Sequence, residues 1–253
     1  MIQRLLAPVG WVLVRRKDWA RLRDTAQNAH YVLHRYEDES GAFDYESYRR
    51  VQDEGNRAKL DKVFVKEENI AFLADYLKRR LGRVDFGLCH GTRRGAEQAW
   101  FRQYLGEGAE VLGTEIADSA TDFPHTVQWD FHEVKDAWVG AADFVYSNSF
   151  DHAYDPEKAL NAWIRCLKPG GMCLIEHTKA HRPDKSNRRD PFGARLEDMP
   201  YLVLSWGKGA YAVTEILSAP VGRSRSSGTA VLVVEPRAPA PTRVAPTPVE
   251  ARP

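Results

Sequence analysis

The sequence predicts an α/β fold: a doubly wound, mostly parallel seven-stranded sheet with an antiparallel last strand and helices on both faces. Three observations carry this. Short apolar runs alternate with helix-period segments between residues 67 and 178, the order that produces right-handed β-α-β crossovers. Gly or Pro punctuates most junctions between them. Two more apolar runs follow, joined by the short polar stretch VGRSRSS (221–227), which has no room for a crossover helix, so they pair antiparallel.

The elements follow in order. Ile70, Leu73, Leu77 and Leu81 share one helix face, with Glu67 and Glu68 in the first turn, Lys78 to Arg80 in the last and Gly82 as the stop. RVDFGLC (83–89) reads as the first buried strand, GAEQAWFRQYL (95–105) as a helix ended by Gly106, and AEVLGTEI (109–116) as the second strand. TVQWDF (126–131) is a short third strand, AADFVYSNS (141–149) the fourth, DPEKALNAWIRCL (155–167) a helix and GGMCLIEHT (170–178) the fifth. AYAVTEILSAP (210–220) and GTAVLVVEP (228–236) complete the sheet.

This catalytic-size domain spans 56–235. Before it, 1–55 is an accessory segment in which RRKDWARLRDTAQNAHYVLHRYEDE (15–39) reads as a solvated helix. After it, the Pro/Ala-rich stretch 236–253 cannot build a core and is expected to be disordered.

Lys plus Arg number 36 against 35 acidic residues, so no bulk field favours nucleic acid or an anionic membrane, and a small-molecule partner is expected. Cys89, Cys166 and Cys173 form no Cys-x-x-Cys pair, which fits a reducing, cytoplasmic compartment. The apolar N-terminal stretch is broken by Arg4, Pro8 and Gly10 and is too short to span a bilayer.

Ligands of open parallel sheets bind beyond the carboxyl ends of the strands. In CHGTRRG (89–95), Gly91 and Gly95 permit a tight turn and close backbone approach, and the next helix offers free N–H groups; a purely structural glycine turn has the same look. Glu115 ends the second strand about twenty residues beyond Gly95, where nucleotide-binding folds place an acid on the ribose; a solvated strand-end glutamate is the alternative. Asp130 follows the third strand, placed to accept an adenine amino group while Phe131 packs on the ring, or to cap a helix.

The segment ADFVYSNSFDHAYDPEKALNAWIRCLKPGGMCLIEH (142–177) resembles the class I, Rossmann-like S-adenosylmethionine-dependent methyltransferase family, and the likeness covers roughly 84–178. Its strongest element is the turn from Leu167 to Gly171. The resemblance implies S-adenosyl-L-methionine as cofactor and S-adenosyl-L-homocysteine as product. Cys89, His90, Gly91, Thr92, Arg93 and Arg94 would hold the methionine end, with a backbone carbonyl on its amine, Glu115 beside Ile116 the ribose, and Asp130 with Phe131 the adenine. Ser147, Asn148 and Ser149 would line the pocket under the sulfonium. The chain departs from the family's D-x-G-x-G-x-G motif: aligning Asp85 and Gly87 with its acid and first glycine requires two extra loop residues before Gly91, whereas the preferred alignment of Gly91 without a gap puts Gly87 on the acid and Cys89 on a glycine, and brings Thr92 to the usual threonine.

His90, His132, His152, His177 and His181 all follow strand ends, which puts five imidazoles on the ligand side, each open to a structural or a proton-transfer role. His152 beside Asp151 is the favoured base, since its loop faces the methyl group in this architecture, and His177 beside Glu176 is second. Asp, Glu and His together also offer ligands to a divalent metal, although no compact metal motif is present. Trp100, Trp129, Trp138 and Trp163 are expected to pack helices on the sheet, Trp11 and Trp19 to cap the core, and RRDPFGARLEDMPY (188–201) to form a lid over the acceptor. The expected activity is methyl transfer to O or N of a small-molecule or saccharide-like acceptor. The alternatives are a nicotinamide-dependent oxidoreductase, against which the missing G-x-G-x-x-G speaks, and a non-catalytic methyltransferase-like binding protein.

Overall fold

The computed structural model describes residues 25–27, 30–222 and 228–237. Its main sheet contains β3 (Phe86–His90), β4 (Glu110–Glu115), β5 (Thr126–Gln128), β6 (Ala142–Ser147), β7 (Leu167–His177), β9 (Tyr211–Ser218) and β10 (Ala230–Pro236), in the order β5-β4-β3-β6-β7-β10-β9. The first five of these strands run parallel, and β10 is antiparallel to both neighbours. The sequence-predicted sheet is therefore the observed one. Its third strand is shorter than expected, because the chain leaves the sheet after Gln128.

Strand alternation sorts the side chains into two cores. Leu88, Val145, Cys173, Ile175, Leu232 and Val234 face α4 (Pro156–Cys166) and α5 (Met199–Trp206). Cys89, Val111, Phe144, Tyr146, Met172, Leu174, Val231 and Val233 face α2 (Glu67–Leu81) and α3 (Ala96–Leu105). The α2 face is the expected one, with Ile70, Leu73 and Leu77 fully buried and Gly82 closing the helix onto the Lys78 carbonyl. Asp155 caps α4 by accepting from Lys158 N, and Pro156 occupies the first turn, where its missing N–H costs nothing. Leu167 to Gly171 forms a bulge inside β7: Leu167 pairs with Ala142 and Met172 with Phe144. A Cβ on Gly171 would lie 2.8 Å from the Ala142 carbonyl oxygen, so the bulge admits glycine there.

The accessory segment differs from the expected helix. Thr25–Gln27 and Tyr31–His34 are strands β1 and β2, and with β8 (Phe192–Ala194) they form a second, antiparallel sheet. Local charge spacing favours helix, but the Tyr-Val-Leu run gains more from a distant partner: Val32 is buried, and the Tyr31 ring packs 5.8 Å from Phe192. Pairing also anchors the segment expected to act as a lid, since Phe192 and Ala194 are buried. Helix α1 (Tyr45–Arg57), capped by Asp44, spans the 55/56 boundary drawn from the sequence. Residues 1–24, with Trp11, Trp19 and the start of the expected helix, and the expected disordered stretch from 238 on lie outside the described residues. Among the described residues no helix is long and apolar enough to cross a membrane.

Several residues expected at the ligand edge are built into the cores. Cys89 is fully buried between the sheet and α3. His90 is one residue further along the same strand, so its ring points to the opposite face, 5.1 Å from Trp163, with Nδ1 2.8 Å from Thr114 Oγ1. Burial holds it neutral, with its pKa pulled from 6.5 down to about 3. His177 donates from Nε2 to the Ala194 carbonyl at 3.1 Å, and burial pulls its pKa down to about 4. His132 bridges loops: Nδ1 meets Asp130 Oδ1 at 2.7 Å, and Nε2 accepts from Tyr154 N and, more weakly, Asp155 N.

Trp163 is fully buried, and its Nε1 donates to the Phe131 carbonyl at 2.9 Å, so Trp163→Ala should lower the unfolding free energy by about 3–5 kcal/mol in urea titrations. A loss under about 1 kcal/mol would place the weight of this layer elsewhere. His90 and His177 take up protons near pH 6.5 when unfolded but resist protonation when folded. Below pH 6.5 the unfolded state binds more protons, so stability should fall with pH at up to about 1.4 kcal/mol per unit for each histidine. The stability gap between the wild type and His177→Gln should narrow from pH 7 to pH 4.5. A constant gap would contradict a buried neutral His177.

Candidate active site

The strand order reverses at β3: the chain steps outward to β4 and β5, then returns to place β6 on the other side. Loops leaving β3 and β6 therefore diverge, and a crevice opens between them. Gly91 and Ser149 stand at its floor. Gly91 has φ +73°, and a Cβ there would come within 2.6 Å of the Ser149 Cβ; Ser149 Oγ lies 3.1 Å from the Gly91 carbonyl, to which it can donate. Ser147, fully buried below, donates to the His90 carbonyl and accepts from Ser149 N.

Two connected lobes lie above this floor, sharing Lys59, Gly91, Arg93, Ser149 and His152. The first, of about 570 Å³ open volume, is walled by Glu115, Ile116, Trp129, Asp130 and Phe131 on one side and Tyr48, Gln52 and Asn56 of α1 on the other. Glu115 is held as an acceptor at its rim: Oε2 takes Arg93 N at 2.9 Å, and Oε1 takes Ile116 N at 2.8 Å and Ala117 N at 3.2 Å. Arg93 adopts a left-handed φ of +47° to present that N–H. With roughly four lone-pair sites on a carboxylate, about one remains on Oε2 for a ligand hydroxyl.

Asp130 is an anion. Burial opposes its charge, but the His132 ring and backbone N–H and the Tyr45 hydroxyl outweigh it, and its pKa falls below the ordinary value. Phe131 rests edge-on against Trp163, 5.4 Å between centroids, while its loop forms the lobe wall.

The second lobe is polar. Thr92, Arg94, Glu97, Asn148, Asp151 and Asp190 line it, with Lys59 and Lys62 from the segment after α1. His152 sits where the lobes meet, and its tautomer is fixed by its neighbours. Gln52 donates from Nε2 to the Arg189 carbonyl at 3.0 Å, so its Oε1 must accept, and it does so from His152 Nδ1 at 2.8 Å. The neutral imidazole therefore carries its lone pair on Nε2, which lies 3.6 Å from Asp190 Oδ1 and 4.0 Å from Asp151 Oδ1. Tyr48 fixes the backbone by donating to the His152 carbonyl at 3.0 Å. Asp151, His152 and Asp190 each offer one ligand atom within 4.8 Å of the others, the geometry of a small cation site.

Of the sequence-predicted residues, Gly91, Thr92, Arg93, Glu115, Ile116, Asp130, Phe131, Asn148, Ser149, Asp151 and His152 line the two lobes. Cys89, His90, Ser147 and His177 do not. His177 borders a separate cavity with Thr178 and Arg195, because β7 carries it past the crevice. Sequence reasoning missed the wall made by Tyr48, Gln52, Asn56 and Arg189, and it assigned Trp129 to packing although it lines the first lobe. Tyr48, Gln52 and Asn56 stand four residues apart on α1, a signal visible in the sequence but polar, so a search for an apolar stripe passes over it.

Residues 88–175 match a family model described as a methyltransferase domain. No curated protein matches the chain. Among solved structures, the chain is similar to the Burkholderia thailandensis 1,6-didemethyltoxoflavin-N1-methyltransferase, solved with 1,6-didemethyltoxoflavin and S-adenosylhomocysteine: 15% identity over 84% of this chain and 99% of that one, TM-score 0.57. It is also similar to the mitomycin 7-O-methyltransferase, at 12% identity over 68% of this chain and 54% of that one, TM-score 0.51. At such identities these likenesses speak for the fold. Residues 88–175, which carry the family match, include the strands that build the cleft at the β3/β6 switch point, and the sheet has the fold of these methyltransferases.

Proposed function

We propose that this chain transfers the methyl group of S-adenosylmethionine to an oxygen or nitrogen of a small or saccharide-like acceptor, with His152 as the general base. The observation that carries the reading is the junction of the lobes: an aromatic, acid-rimmed lobe and a polar lobe meet at Gly91, Ser149 and His152, and a side chain on Gly91 would fill the junction. Both solved neighbours described above are named for small-molecule acceptors, one methylated on nitrogen and one on oxygen, which supports the acceptor class.

In this reading Glu115 accepts a ribose hydroxyl, Asp130 the adenine amino group, and Trp129 and Phe131 flank the ring. Bound there, the cofactor supplies an electrophilic methyl carbon for in-line displacement. The protein contributes position and a proton acceptor. His152 Nε2 takes the proton from the attacking hydroxyl or amine, Gln52 holds the ring in the required tautomer, and Asp151 and Asp190 stabilise the imidazolium that results.

S-adenosylhomocysteine should bind in calorimetric titration and NADH should not. The opposite result would replace this reading with a nicotinamide-dependent oxidoreductase, and S-adenosylhomocysteine binding without turnover over a broad acceptor panel would leave a binding protein. His152→Ala should lower kcat by about 10²–10⁴-fold and leave the Kd for S-adenosylhomocysteine nearly unchanged; unaltered turnover removes the base assignment.

The convergence of Asp151, His152 and Asp190 favours a second reading of the same cluster, a divalent cation that orients two acceptor oxygens. Dialysis against EDTA separates the two: full activity afterwards leaves His152 as a base, whereas loss restored by magnesium or manganese makes it a ligand.

A further inference from the structure

Three oxygens in the polar lobe's lining are buried without a hydrogen bond: Thr92 Oγ1, Glu97 Oε2 and Asp151 Oδ1. Their residues are 3%, 6% and 8% exposed. Orphaned buried acceptors cost roughly 1–3 kcal/mol each; others lie outside this lobe, at Gln98, Ser119 and Thr229, but here three oxygens line one cavity, where a donor would complete them. The same lobe is lined by the cations Lys59, Lys62 and Arg94. Cationic groups and buried acceptors in one lobe of about 630 Å³ open volume suit a zwitterion rather than a simple cation or anion.

We propose that Glu97 is the counter-ion of the α-ammonium at the methionine end of the cofactor, with Thr92 Oγ1 accepting a second of its protons and Lys59 and Arg94 facing its carboxylate. This rests on the methyltransferase reading and goes beyond it. The expectation from the sequence gave the amine a backbone carbonyl and read the helix that bears Glu97 as an ordinary crossover. An ammonium carries three donors, and the orphaned Thr92 and Glu97 oxygens line the same lobe, one from the turn before α3 and one from its first turn.

The acidity of Glu97 supports this geometry. Burial raises its pKa from 4.5 to about 8, against the pull of its own backbone N–H and of Arg93, while Glu115 on β4 and Glu176 on β7 push it further upward. Burial first, and then the Glu97 charge, raise the Cys89 thiol on β3 and, with Glu176, the Tyr146 hydroxyl on β6. Near pH 7 the empty protein therefore holds Glu97 mostly protonated. An arriving ammonium favours the carboxylate, and a proton leaves to solvent.

The test compares two ligands. S-adenosylhomocysteine carries the amino-acid end; 5′-methylthioadenosine shares the adenosine and thioether but lacks it. Glu97→Gln should weaken S-adenosylhomocysteine at least tenfold and leave 5′-methylthioadenosine within about twofold of the wild type, which also shows that the variant is folded. In the wild type at pH 7 the binding enthalpy of S-adenosylhomocysteine should vary with the ionisation heat of the buffer, as proton release requires, and in the variant it should not. Unchanged S-adenosylhomocysteine affinity, or equal weakening of both ligands, overturns the Glu97 assignment while the methyltransferase reading stands. A wild type that binds neither ligand overturns both.

Discussion

Residue 91 tolerates no side chain, because the first carbon of one would lie 2.6 Å from the Ser149 Cβ. That contact brings the ends of β3 and β6 together at the only place in the sheet where parallel neighbours depart in opposite directions, and the geometry above it follows. Gly91 and Gly95 turn with positive φ, Arg93 between them is drawn into the same region, and its N–H is thereby aimed at Glu115. Gly91 N and Thr92 N are both anchored on the Thr114 carbonyl, at 2.9 and 3.0 Å, so the turn and the acid at the end of β4 form one rigid unit. A ligand meets a rim that is already organised.

The opposite wall is assembled from chain far from this unit. Gln52 on α1 reaches the Arg189 carbonyl and the His152 ring at once, joining a helix before the main sheet to a segment beyond its fifth parallel strand. Tyr36 reinforces the join with a hydrogen bond to the Arg188 carbonyl. The β2–β8 pairing supports both from behind. The segment around Arg189 is thus tied to a small sheet and to the buried Tyr36 and Gln52.

How far the sequence can be read follows from the range of the interactions. Strand alternation is local, so the seven strands and their two cores are visible in runs such as Leu88–Cys89 and Met172 to Ile175. The same rule applied one residue further assigns His90 to the Trp163 face; the expectation of a ligand-side histidine arose from ending the strand at Cys89. The β1–β2–β8 sheet was illegible because its short strands find each other across about 160 residues of chain with no period to betray them. Glu97 was overlooked for a different reason: an acid in a first helical turn already has a satisfactory local explanation in the helix dipole, and only its burial shows that this is insufficient.

Asp143 and Glu97, buried carboxyl groups near opposite ends of the sheet, are treated differently. Asp143, fully buried at the far end of β6, accepts from Asp85 N and Phe86 N at 2.8 and 2.9 Å and pairs with Lys168, so a buried charge at the closed end of the sheet is surrounded by donors. At the open end the pattern reverses: Thr92, Glu97 and Asp151 keep acceptors out of water without a donor. Sequence economy does not explain the contrast, since a valine and a glutamine in place of Thr92 and Glu97 would fill similar volumes with fewer buried acceptors. At that open end Glu115 is satisfied by three backbone N–H groups while Glu97 and Asp151 each keep one oxygen without a hydrogen bond, and binding free energy is held in those oxygens. The donors that complete the lobe must arrive with the ligand, and the affinity gained is the desolvation cost the empty protein already bears.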